Sequence, residues 1–225
     1  MARRGGKKVG AGPERAYIRY SFYIALFLLA AATSYVVGLN AEGQMGADTA
    51  TYLTSITLSF MFPVIAFSYM LMTGRRLRTI ISEFGLSRDK LTSGALIDGV
   101  KIFLVIFLLE IVIAAFSVAS GIALPTNTQL LLNGAPVYFL LFGIFITPFN
   151  EETLFRGLMV PRMGIVLSAV IFALLHSGYA SISEFVGALV FGLVAGYVFK
   201  KRGSLYSTMF AHFLVNLLAI LQYLL

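Results

Sequence analysis

The stretch that decides the fold is IDGVKIFLVIFLLEIVIAAFSVA, residues 97–119. It is apolar almost throughout, despite Lys101 and Glu110. A helix rises about 1.5 Å per residue, so about 20 apolar residues cross the roughly 30 Å hydrocarbon core of a bilayer. The stretch therefore predicts a transmembrane helix.

The composition of the whole chain agrees with this interpretation. Hydrophobic residues make up 59% of the 225 residues and charged residues 12%, against about 45–50% and about 25% in soluble domains. This excludes an ordinary soluble globule and an intrinsically disordered chain. The chain has no Cys, which excludes disulfides, thiolate nucleophiles, iron–sulfur clusters and thiolate zinc sites.

Outward from residues 97–119, the chain contains further apolar runs of membrane-spanning character. The seven predicted spans are Ile18–Gly38, Tyr52–Met72, Ile97–Ala119, Pro136–Arg162, Met163–Ser177, Glu184–Phe199 and Leu205–Leu225. The first span follows four basic residues, as a signal peptide does, but its apolar run is longer than the 7–15 residues of a secretory signal. We therefore expect a retained anchor and an all-α, polytopic membrane helix bundle of about seven transmembrane helices.

The basic residues predict the orientation of this bundle. All 17 Lys and Arg lie in the N-terminal tail or at alternate junctions, and residues 39–51, 120–135 and 178–183 contain none. Cytoplasmic loops are the ones enriched in Lys and Arg, so seven spans place the N-terminus in the cytoplasm. The net charge of +7 thus indicates membrane topology and no nucleic-acid partner. We expect an integral protein of a cell membrane, plasma or ER-type, with a basic cytoplasmic tail (1–17), N-terminal transmembrane helices (18–134) and a C-terminal core (135–225).

A few polar side chains lie where lipid should exclude them. Charged groups inside a membrane cost several kcal/mol and usually mark function. The candidates are Glu110, Glu151, Glu152, Arg156, His176, His212 and Asn216. The two histidines are the only ones in the chain.

The acidic pair is placed so that its two carboxylates differ. Glu152 and Arg156 are four residues apart and share a helix face, so their charges can pair. Glu151 is rotated by about 100° and lacks that partner. Two carboxylates in different environments suit acid–base chemistry. The alternative is a juxtamembrane charge cluster.

The polar groups of three different spans are predicted to lie at similar depths in the membrane. His212 and Asn216 share one helix face. Counted from the cytoplasmic helix ends, Glu151, His176, His212 and Asn216 lie roughly 16, 20, 13 and 20 Å into the membrane. A lone histidine on an apolar face is usually a structural core residue with its hydrogen bonds made. Two histidines near a common depth favour a functional site instead.

This set of side chains suits hydrolysis of an amide inside the membrane. A carboxylate and a histidine can deprotonate water, and a histidine with an asparagine can donate hydrogen bonds to an oxyanion. Glu and His are also zinc ligands, so zinc held by Glu151, His176 and His212 is an alternative. No His-Glu-x-x-His pair is present.

At these residues the sequence resembles the CPBP family of intramembrane proteases, also called ABI, which includes the type II CAAX prenyl endopeptidases and bacteriocin-immunity relatives. That family carries Glu-Glu-x-x-x-Arg, Phe-x-x-x-His and His-x-x-x-Asn/Asp motifs in this order. Here they read EETLFR (151–156), FALLH (172–176) and HFLVN (212–216). The resemblance covers roughly residues 135–220.

The resemblance implies a catalytic site of Glu151, Glu152, Arg156, His176, His212 and Asn216. Glu151 would activate the water with assistance from His176, and His212 and Asn216 would stabilise the oxyanion. The ion pair of Glu152 and Arg156 would orient the site. It also implies a cavity open to the cytoplasm and the lipid, and a membrane-bound, prenylated substrate that loses its last three residues. We expect no cofactor and favour a mechanism without metal.

Two other functions remain compatible with the residues. Intramembrane Glu and His also serve proton-coupled transporters, although no inverted repeat is visible. The second alternative is a non-catalytic relative that binds a partner, such as an immunity protein. Glu110 is expected to line the cavity or pair with a polar neighbour, and Pro148 to unwind or kink the fourth span just before Glu151.

Overall fold

The computed structural model describes residues 49–121, 134–176 and 182–224, together with the single residues 21, 25 and 132. Within these residues the chain is helical and contains no strand, which confirms the all-α class. The α-helices are α1 (Thr49–Met72), α2 (Leu77–Glu83), α3 (Ser93–Ser120), α4 (Val137–Phe145), α5 (Thr147–Glu152), α6 (Val160–Met163), α7 (Ile165–His176), α8 (Ile182–Arg202) and α9 (Leu205–Leu224). A short 3₁₀ helix (Arg88–Lys90) precedes α3, and a π-helical segment (Thr153–Met159) follows α5.

Four of these helices are long and apolar enough to cross a membrane. Their qualifying parts are Tyr52–Met72, Ser93–Ser120, Ile182–Arg202 and Leu205–Gln222. They coincide with four of the predicted spans and support an integral membrane protein. Helix α7 is apolar but has only 12 residues. The predicted first span, residues 18–38, lies outside the described residues apart from positions 21 and 25, and the count of seven spans and the orientation remain predictions.

The predicted span 136–162 is interrupted, and the structure locates the interruption. Helix α4 ends at Phe145 and α5 begins at Thr147, with Ile146 between them. Pro148 has no N–H to donate to the preceding turn, which is consistent with a break at Ile146. The break therefore lies five residues before Glu151 in the sequence. The helix then resumes, since the Asn150 N–H donates to the Ile146 carbonyl at 3.1 Å. Pro148 therefore accompanies a local break, and Glu151 itself is helical.

The π-helical segment lies at the centre of the bundle. All seven of its residues are buried, and α1, α7, α8 and α9 each pack against it. Small residues allow the close approach of the surrounding helices. A Cβ added to Gly192 of α8 would lie 2.8 Å from the Cβ of Ala169 on α7. Buried polar groups of the π-helical segment must therefore find partners within their own helical stretch or on the neighbouring helices.

The start of α9 is tied to the loop that follows α2. The Leu205 N–H donates to the Gly85 carbonyl at 3.2 Å, and the Tyr206 hydroxyl donates to the Leu86 carbonyl at 2.8 Å. Gly85 has a positive φ of 70°, and a Cβ there would lie 2.5 Å from the Gly203 carbonyl oxygen. Only glycine fits this contact, which holds the helix that carries His212 against the rest of the bundle.

Candidate active site

The core of the site is a buried ion pair on the central helix. Arg156 Nη1 donates to Glu152 Oε1 at 2.8 Å, and the two side chains are 1% and 0% exposed. The pair predicted from the four-residue spacing is therefore present. The Arg156 guanidinium carbon lies 4.6 Å from the ring centre of Phe172 and 4.7 Å from that of Phe191. Arg156 thus makes cation–π contacts on α7 and α8 while it neutralises Glu152.

His212 connects α9 to both carboxylates. Its Nδ1 lies 3.0 Å from Glu152 Oε1, and its Nε2 lies 3.8 Å from Glu151 Oε2. An ionised carboxylate only accepts hydrogen bonds, so Nδ1 carries a hydrogen. Glu152 therefore fixes the orientation of the ring and directs Nε2 towards Glu151.

Glu151 differs from its neighbour in its partners. Its side chain is 13% exposed, and its buried Oε2 has no hydrogen-bond partner among the described residues. Glu152, one residue later, is paired with an arginine and a histidine. The prediction that the two adjacent carboxylates have different surroundings is confirmed.

The aromatic ring of Phe172, a motif residue of α7, lies near both histidines. The ring centres of Phe172 and His176 are 4.5 Å apart, and those of Phe172 and His212 are 6.2 Å apart. His176 Nδ1 lies 2.9 Å from the Phe172 carbonyl oxygen. Since a carbonyl only accepts, Nδ1 donates, and in the neutral ring the lone pair is on Nε2. A general base needs that form.

Asn216 lies one helical turn after His212 on α9 and contacts α4. Its Nδ2 donates to the Gly143 carbonyl in α4 at 2.8 Å. Both polar side chains of α9 therefore contact the α4–α5 helix, as their shared face predicts. An amide nitrogen carries two hydrogens, so Asn216 can keep this contact and donate a second hydrogen bond.

Sequence reasoning missed two buried hydrogen bonds around the site. Asn150 Nδ2 donates to Ser59 Oγ on α1 at 3.0 Å, and Ser168 Oγ on α7 donates to the Phe155 carbonyl in the π-helical segment at 2.9 Å. Short neutral polar residues are common in membrane helices and carry no motif. The position of Asn150 directly before Glu151 is the one signal that could have drawn attention to it.

The described residues contain no group of three or more His, Asp or Glu side chains arranged to hold a metal ion. The zinc alternative at Glu151, His176 and His212 and the expectation of a site without metal both stay predictions. Glu110 lies on the exposed side of α3, where its Oε1 would be 3.4 Å from a Cβ at Gly187 of α8.

Comparison with known proteins agrees with the resemblance seen in the sequence. Residues 133–218 match the family model described as type II CAAX prenyl endopeptidase Rce1-like. A curated relative, the uncharacterized protein YpbD of Bacillus subtilis (strain 168), is 31% identical over 78 residues, which cover 34% of this chain and 41% of YpbD. The match thus spans less than half of that relative, and no solved structure matches the chain. Residues 133–218, which contain every motif of the candidate site, are therefore similar to the Rce1-like family of type II CAAX prenyl endopeptidases, and this similarity supports a peptidase.

Proposed function

We propose that this protein is an intramembrane endopeptidase that hydrolyses a peptide bond with water activated by Glu151. Its proposed substrates are prenylated or other membrane-associated proteins that are processed at the C-terminus in the CAAX manner. One observation carries the proposal. The Glu151 carboxylate faces His212 across 3.8 Å, while the adjacent Glu152 is neutralised by Arg156 and His212.

In the proposed first step, Glu151 takes a proton from a water molecule, with assistance from His176. The water oxygen attacks the carbonyl carbon of the scissile bond and forms a tetrahedral oxyanion. The proton then passes to the leaving nitrogen, the C–N bond breaks, and the products are a carboxylic acid and an amine. Water is the nucleophile, so the absence of Cys from the sequence is no obstacle.

The proposed oxyanion donors are His212 and Asn216. A protonated His212 donates from both ring nitrogens, with Nδ1 to Glu152 and Nε2 to the oxyanion. The second hydrogen on Asn216 Nδ2 adds a further donor. Arg156 and Glu152 hold His212 in place before the substrate arrives, and donors held in this way stabilise developing charge at the least reorganisation cost.

The proposed substrate shares the bilayer with the enzyme. A lipid-modified chain end is confined to the membrane surface, and a site that opens to the lipid and the cytoplasm can receive it without extracting the anchor. We propose a mechanism without metal, because a water molecule that is activated by a carboxylate base needs none.

The test is mass spectrometry of a peptide panel incubated with detergent-purified protein. The panel contains farnesylated and geranylgeranylated CAAX peptides, their unprenylated versions and unrelated membrane peptides. Wild type is compared with Glu151→Gln, His176→Ala and the control Glu110→Gln, which changes another carboxylate of a membrane span. We expect loss of a terminal tripeptide from prenylated peptides with wild type and the control only.

Each other outcome has a defined meaning. Cleavage of unrelated peptides would keep the protease and discard the CAAX assignment. Unchanged turnover in Glu151→Gln or His176→Ala would overturn the roles given to those residues. No cleavage by folded wild type would overturn the proposal and favour a partner-binding protein, or a transporter if proteoliposomes then showed proton-linked uptake.

A further inference from the structure

The short helix that carries Glu151 lies between two irregular backbone segments. Helix α5 is preceded by the break at Ile146 and followed by the π-helical segment from Thr153. Pro148, within α5, has no N–H to bond to the preceding turn. Backbone hydrogen bonds from the Ile146 N–H to Phe142 and from the Asn150 N–H to Ile146 still cross this break. Because the turn that precedes α5 lacks the bond that Pro148 cannot donate, side-chain contacts with neighbouring helices add to what sets the rotation of α5 about its own axis.

Two such contacts lie on either side of Glu151. Asn150, the residue before it, donates from Nδ2 to Ser59 Oγ on α1 at 3.0 Å. Glu152, the residue after it, lies 3.0 Å from His212 Nδ1 on α9. Successive helical residues are separated by about 100°. Asn150 and Glu152 therefore anchor α5 to two different helices, and Glu151 projects between them.

We propose that the hydrogen bond between Asn150 and Ser59 is a positioning contact that sets the direction of the Glu151 carboxylate relative to His212. This inference rests on the proposed function, in which Glu151 activates the water. Asn150 and Ser59 are positioning residues, since they act through Glu151 and not on the substrate.

Burial makes this contact persistent. Asn150 is 0% exposed and Ser59 is 8% exposed, so neither group can exchange its partner for bulk water. A buried polar group without a hydrogen bond is costly, and Asn150 Oδ1 already lacks a partner among the described residues. The pair is therefore a fixed point for α5. A misplacement of about 1 Å at a reacting group can cost about a hundredfold in rate.

The experiment compares Ser59→Ala and Asn150→Leu with a conservative variant and a matched control. Ser59→Thr keeps the hydroxyl and should retain turnover. Ser207→Ala removes a buried hydroxyl of α9 that has no hydrogen-bond partner among the described residues, so it tests the loss of a hydroxyl alone. For each protein, kcat and KM are measured on a prenylated CAAX peptide, and hydrogen–deuterium exchange is measured on peptides that cover residues 147–159.

We expect kcat to fall about ten- to a hundredfold in Ser59→Ala and Asn150→Leu, with KM within twofold of wild type and faster exchange confined to α5 and the π-helical segment. The double variant should be no slower than Asn150→Leu, because both changes break one contact. Wild-type kcat in Ser59→Ala would overturn the inference. So would a loss matched by Ser207→Ala, or by faster exchange throughout the protein, since either would indicate general destabilisation.

The exchange measurement separates this inference from the proposed function. If wild type cleaves no peptide, the proposed function fails, yet faster exchange of residues 147–159 in Ser59→Ala still supports the contact as the anchor of α5. If exchange there equals wild type in Ser59→Ala, the anchor is refuted whether or not the protein is a protease. Should Asn150→Leu fail to fold, Ser59→Ala, which removes one oxygen atom, decides the question alone.

Discussion

Replacement of Arg156 by Met tests how much the buried ion pair contributes to stability. The substitution removes the charge and keeps most of the aliphatic stem. It leaves Glu152, which is 0% exposed, as a buried carboxylate without its arginine, and it also removes the contacts with Phe172 and Phe191. Breaking a buried pair by removing one partner costs about 3–5 kcal/mol. We therefore expect Arg156→Met to lower the free energy of unfolding by about 4 kcal/mol.

The chain offers a matched exposed pair as the control. Arg75 Nε donates to Glu83 Oε1 at 2.9 Å, but these side chains are 40% and 38% exposed. Exposed pairs contribute up to about 1 kcal/mol, because water already solvates both charges. Arg75→Met should therefore shift the free energy of unfolding by less than about 1 kcal/mol. The contrast depends on burial, since the two distances are nearly equal.

The assay is denaturant titration of each variant in one micelle composition, with extrapolation of the free energy of unfolding to zero denaturant. The double variant Glu152→Gln/Arg156→Met removes both charges and keeps an acceptor for His212. It should recover at least half of the loss, because no uncompensated charge stays buried. A cost for Arg156→Met no larger than that for Arg75→Met would refute the reasoning. So would a double variant whose cost equals the sum of the single changes.

Three further predictions address packing, orientation and metal. Gly192→Ala should lower the free energy of unfolding by about 1–3 kcal/mol in the same titration, because the added Cβ would lie 2.8 Å from that of Ala169. The control Gly143→Ala, whose added Cβ would have its nearest contact at 4.0 Å, should leave the free energy of unfolding unchanged. Since the chain has no native Cys, a single introduced Cys can be labelled specifically. With the predicted orientation, a membrane-impermeant maleimide applied to intact cells should label Ser120→Cys but not Ser82→Cys, and the reverse result would invert that orientation. Chelators should leave turnover unchanged, and one zinc per chain lost together with activity would contradict the metal-free mechanism.

Much of this protein follows from local sequence patterns. Four of the predicted spans appear as long apolar helices with ends within a few residues of the prediction, because the thickness of the bilayer requires a run of apolar residues that can be read directly. The pair of Glu152 and Arg156 is also local, since four residues make one helical turn. The resemblance carried by the motifs at 151–156, 172–176 and 212–216 rests on the same kind of short-range spacing, and the match of residues 133–218 to the Rce1-like family model agrees with it.

Contacts between distant parts of the chain required the tertiary structure. His212 lies 60 residues after Glu152, and Ser59 lies 91 residues before Asn150. Nothing in the spacing of such residues indicates which helices are neighbours or how each is rotated, because that depends on the packing of the entire bundle. The break at Ile146 and the π-helical register at Thr153–Met159 are of the same kind. The sequence alone determined which polar residues interrupt the apolar stretches of the chain. Only the packing of α1 and α9 against the α5 region decided that Glu151 faces His212, since a buried polar group takes whichever partner the neighbouring helix presents.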